Sequence, residues 1–158
     1  ILTYLFATRH PGRLERIVTL DVGGHLQPGL RHLPLFLGYQ GWLIAAEALG
    51  SDGMARWMAG QARAPHPERA TARMGWPYRM AWRALLRRRY RKSLVRRFRP
   101  ELPVLFLYGT RKPFMFHSRW WIEALEANPD CRVQAVDAGH WLMLKRPEAV
   151  EAAIRAFV

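Results

Sequence analysis

The segment Asp137-Ala138-Gly139-His140-Trp141-Leu142-Met143-Leu144-Lys145-Arg146-Pro147-Glu148 follows a short strand-like run, Arg132–Val136, and leads into a closing helical segment, Pro147–Val158. Proline has its φ preset for a first helical position, and Glu148 and Glu151 set negative charge against the positive helix start. His140 therefore falls in the loop between a strand and a helix. Loops at the C-terminal ends of parallel strands are where α/β sheets collect their functional groups.

Working outward, Val104–Tyr108 is an unbroken apolar run closed by Gly109, as expected of a strand buried on both faces. Arg16–Leu20 reads as another strand, with Asp21 at its C-terminal end. It follows an opening helix that Pro11-Gly12 terminates near His10. Ser118–Ala127 reads as a helix between the second and third strands. Strands alternating with helices imply a parallel α/β sheet. Between the first two strands, Leu33 to Arg99 is wholly helical in pattern. It is broken at Gly50-Ser51-Asp52-Gly53 and at Ala64–Pro67, and resumes at Trp76-Pro77. That stretch is too long for a single crossover and reads as a helical insertion. The expected organisation is a core segment over 1–30, an insertion over 31–100 and a second core segment over 101–158.

The chain has 158 residues, half of them hydrophobic and 23% charged, which excludes a disordered or fibrous class. The single cysteine, Cys131, excludes a disulfide framework. The richest apolar stretch, Leu33 to Gly50, is interrupted by Gln40 and Glu47, so no transmembrane segment is expected. The net charge is +13, and between Glu68 and Glu101 there are 12 basic residues and no acidic one. The rest of the chain is nearly neutral. Arg83–Arg99 is thus a possible surface for an anionic partner, with a solvated helix face as the alternative; no nucleic-acid-binding module accompanies it. Glu47 and Asp52 read as solvated, and Asp137 as structural. His10, His25, His32 and His66 lack metal-ligand spacing, so neither metal nor cofactor is expected.

Gly139-His140-Trp141, followed by the Pro147-Glu148 helix start, resembles the catalytic-histidine segment of the α/β-hydrolase superfamily, in its branch of epoxide hydrolases and haloalkane dehalogenases. Ala7 to Asp21, with its His10-Pro11 pair, resembles the family's segment downstream of the nucleophile elbow. Pro103-Val104-Leu105-Phe106-Leu107-Tyr108-Gly109 is similar to the strand that follows the family's cap. The implied fold is the C-terminal part of an α/β-hydrolase fold, parallel strands flanked by helices, with the insertion as a helical cap. The elbow, Gly-x-Ser-x-Gly or its aspartate version, is expected just upstream of Ile1, because the chain opens inside an apolar helix and carries no candidate nucleophile. The chain is thus expected to be a piece of a longer, cytoplasmic protein, inactive alone.

The resemblance implies a hydrolase of a small-molecule ester, epoxide or similar apolar substrate. Its histidine, with a proton affinity near neutrality, moves the proton while a carboxylate fixes its tautomer. The resemblance assigns that role to His140. The family commonly places the acid three residues after the glycine of the second strand, where this chain has Lys112, and begins the residue pair before the helix-starting proline with an acid, where it has Lys145. Some members take the acid from the end of the preceding strand, a position held by Asp21. Substrate-pocket candidates are Trp76, Tyr78 and Trp82 in the insertion, with His117 and Trp141 in the loops; His117 has capping of the next helix as its alternative, and the insertion aromatics have ordinary packing. The other class of function open to such a chain is a non-catalytic binding protein on the same scaffold, using the arginine-rich face.

Overall fold

A computed structural model describes residues 2–10, 12–24, 29–87, 101–113 and 115–158. These cluster into two compact units, one drawn from Ile1–Pro28 and Val95–Val158, the other from Gly29–Leu94.

The first unit is a three-stranded parallel sheet in the order β1-β2-β3, with β1 Ile17–Leu20, β2 Val104–Gly109 and β3 Arg132–Val136. The register pairs Ile17 with Val104 and Leu105 with Arg132. Helices α1 (Leu2–Arg9), α5 (Arg119–Glu126), α6 (Leu142–Lys145) and α7 (Pro147–Arg155) complete it. Successive side chains of a strand point to opposite faces, and β2 shows this in its packing. Val104 and Phe106 join Tyr4, Ala7, Ile17, Trp121 and Leu125 in one cluster, while Leu105 and Leu107 join Val136, Leu142, Val150 and Phe157 in another. Both faces are covered, which is why the strand is apolar without alternation. Each such buried side chain contributes about 1.5–3 kcal/mol relative to exposure.

Two local features set the strand ends. Asp21 has a positive φ of 61°, a conformation that aspartate tolerates better than most residues. Its N–H still donates to Leu107 O at 2.7 Å, so the ladder runs to the last residue before the chain turns away. At Gly109 a Cβ would lie 2.3 Å from Gly139 O and 2.5 Å from Ala138 O. The loops after β2 and β3 touch there, backbone to backbone, and only glycine fits.

The second unit holds α2 (Leu33–Ala48), α3 (Asp52–Gln61) and α4 (Trp76–Leu86) with short 3₁₀ turns. The break between α2 and α3 is shorter than its two glycines suggest. Ser51 Oγ accepts the Met54 N–H at 3.3 Å as an N-cap, so Asp52 and Gly53 already belong to the helix. Glu47 and Asp52, expected to be solvated, are both engaged. Glu47 pairs with Arg79 at 2.8 Å with its side chain 13% exposed, and Asp52 Oδ1 accepts the Ala72 N–H at 2.9 Å. Helix-surface position alone did not reveal partners that lie 20 and more residues away. Among the described residues, no helix is long and apolar enough to cross a membrane.

Candidate active site

The C-terminal ends of the three strands bring three polar side chains together. Asp21, directly after β1, is fully buried. Its two carboxylate oxygens are divided: Oδ1 accepts the Gly109 N–H at 2.9 Å and the Lys112 ammonium, while Oδ2 lies 2.6 Å from His140 Nδ1. Lys112, after β2, has its side chain only 1% exposed. His140, after β3, is anchored on one edge and has its side chain 37% exposed.

Aromatic rings enclose the imidazole. Phe116 and Trp141 both pack edge-on to His140, at 5.3 Å and 5.0 Å respectively, and the Phe116 ring also carries the Lys112 ammonium at 4.8 Å. The exposed rim is held by an ion pair between Arg111 and Asp137, which draws the Asp137 carboxyl below its ordinary range. Arg146 Nε donates to Asp137 O at 3.3 Å. Asp137 thus ties the loop that carries His140 to the loop after β2.

His117 is buried, wedged edge-on between Phe106 at 4.9 Å and Tyr108 at 4.8 Å, with Nδ1 lacking a hydrogen-bond partner among the described residues. Capping of α5 falls to its neighbour: Ser118 Oγ accepts the Trp121 N–H at 3.2 Å. Burial, and next the positive charge of Lys112, push the His117 imidazole down to about 4, with Asp21 opposing. In the unfolded chain histidine titrates near 6.5. Between these values the unfolded state binds a proton that the native state refuses, so stability falls as the pH drops. Unfolding followed in urea is expected to lose about 3 kcal/mol between pH 6.5 and pH 4 on this account. His117→Phe flattens that slope; an equally steep slope in the variant refutes the assignment.

The insertion aromatics belong to the other unit. Trp76 is exposed, Tyr78 packs edge-on to Tyr39 at 5.9 Å, and Trp82 Nε1 donates to Gln40 Oε1 at 2.6 Å. Burial first, and then Tyr78, raise the Tyr39 phenol above its ordinary value. Of the arginine-rich segment, Arg83 and Arg87 are exposed, while Arg88 to Arg99 lie outside the described residues. Among the described residues, no group of three or more His, Cys, Asp or Glu side chains is arranged to hold a metal ion.

Sequence reasoning missed the engagement of Lys112. Its position three residues after Gly109 drew notice only for the acid it lacks, and a loop lysine is ordinarily solvated. Phe116 was missed outright, since nothing in its surroundings distinguishes it from a packing residue.

No family model and no curated protein matches the chain. Solved structures do. The chain is similar to an enol-lactonase from Burkholderia xenovorans LB400, at 18% identity and a TM-score of 0.55, over 98% of this chain and 60% of that one. It is likewise similar to a hydrolase from Pseudomonas aeruginosa PA01, at 20% identity and a TM-score of 0.56, over 98% of this chain and 59% of that one. An E-2-(acetamidomethylene)succinate hydrolase matches at 18% identity and a TM-score of 0.54, over 98% of this chain and 61% of that one. The chain thus spans about 60% of the length of the structures it resembles.

Proposed function

We propose, from the α/β-hydrolase fold that this chain adopts, that it is the general-base portion of a hydrolase acting on an ester, epoxide or similar bond of a small apolar substrate. The carrying observation is the 2.6 Å contact between His140 Nδ1 and Asp21 Oδ2, two residues 119 positions apart in the chain. A carboxylate on Nδ1 selects the tautomer with the proton on that nitrogen, which leaves Nε2 as the proton acceptor. In this role Nε2 takes a proton from the nucleophile or from water and returns it to the leaving group, while Asp21 stabilises the imidazolium between the two steps. The nucleophile is assigned to a part of the protein outside this chain. The names of the similar structures, a lactonase among them, support trying ester-type bonds first.

The intact protein, supplied with aryl esters, lactones and aryl epoxides, is expected to release product from at least one class at a rate proportional to protein concentration. No turnover of any of the three removes the proposal. The contact between Lys112 and Asp21 favours a second reading, a binding protein in which the lysine neutralises the carboxylate and the arginine-rich segment takes an anionic partner. Retention on heparin at physiological salt without turnover is the outcome that selects it.

A further inference from the structure

We infer that Lys112 is a positioning residue of this site: by holding Asp21 Oδ1 it presents Oδ2 to His140, and its buried charge offsets the carboxylate that the imidazole faces. The inference rests on the reading of His140 as the general base.

Three observations support it. The first is the division of the carboxylate. With the Lys112 ammonium and the Gly109 N–H both on Oδ1, rotating the group would break two bonds, so Oδ2 is kept on Nδ1. The second is burial. The lysine side chain is 1% exposed and the aspartate 0%. Ions so withdrawn from water pay a desolvation penalty that a pair seldom recovers as net stability. The third is continuity: one ring, Phe116, lies against both the ammonium and the imidazole, at 4.8 Å and 5.3 Å, and covers them together.

The electrostatic consequence has a definite sign. A bare carboxylate beside an imidazole favours the imidazolium; an ammonium on the other oxygen cancels much of that attraction. Among the described residues, the other titratable groups on the surrounding loops are His117 after β2, neutral in its apolar setting, and Arg111, Asp137 and Arg146, which engage one another at the exposed rim. Lys112 is therefore the cation placed across Asp21 from the imidazole.

The test is the pH profile of kcat/KM in the intact protein. Lys112→Met is expected to move the acid limb up by about one pH unit. Lys112→Gln, which keeps a hydrogen-bond donor for Oδ1 without the charge and serves if the Met variant fails to fold, is expected to shift it likewise. Lys112→Arg is expected to restore the original limb. An unmoved limb in Lys112→Gln, in a protein whose turnover still depends on His140, overturns the role of Lys112. Turnover that survives His140→Ala overturns instead the reading on which the role rests.

Discussion

Replacing His140 by alanine in the intact protein is expected to lower kcat by about ten-thousand-fold while leaving the fold in place. The two effects separate because of where the ring sits. Its side chain is 37% exposed, and its removal leaves Asp21 still bound by Lys112 and the Gly109 N–H, so the buried carboxylate keeps partners on Oδ1. A group that acts only on the proton in the transition state leaves substrate binding largely intact, so KM is expected to change far less than kcat. The measurement is steady-state kinetics beside a thermal melt. A variant that melts normally and turns over at the wild-type rate excludes His140 as the base.

Asp21→Asn is expected to damage activity and stability together. Asparagine tolerates the positive φ of 61° and still accepts the Gly109 N–H, so the backbone is spared. The charge is not replaced. Lys112, with its side chain 1% exposed, is left as a buried cation without its anion, an arrangement that costs about 3–5 kcal/mol. The amide also presents no fixed acceptor to Nδ1, so the imidazole is free to take the wrong tautomer, and kcat is expected to fall about a thousand-fold or more. The double variant Asp21→Asn with Lys112→Met distinguishes the two losses: urea unfolding should recover most of the stability, while the rate stays low. Recovery of both together shows that Asp21 acts on turnover only through folding.

The parts of this molecule that could be read from its residues are those whose cause is local. Val104–Tyr108 announces a strand because a chain covered on both faces has no reason to alternate. Ser118 and Pro147 mark helix starts through short-range chemistry. Asp21 and His140 were legible as strand-end residues, and their resemblance to a known pattern suggested the roles proposed for them. What stayed hidden depends on partners distant in the chain. The Glu47–Arg79 pair, the acceptance of the Ala72 N–H by Asp52 and the burial of Lys112 against Asp21 all require the tertiary fold. The early start of α3 at Asp52 was a misreading of a different kind, a serine cap overriding two glycines that look like a break.

The sheet also constrains how the protein is made. β1 takes its hydrogen-bonded neighbour from β2, so that Asp21 and the Gly109 N–H that binds it lie 88 positions apart. A nascent chain must therefore emerge through the entire helical unit before β1 can meet β2, and on past β3 before His140 arrives. Local helical contacts form early, whereas distant strand pairing is slow. The edge of Ile17–Leu20 that β2 will cover consequently stays open for that interval, exposed to chaperones and to other unfinished copies of the same chain.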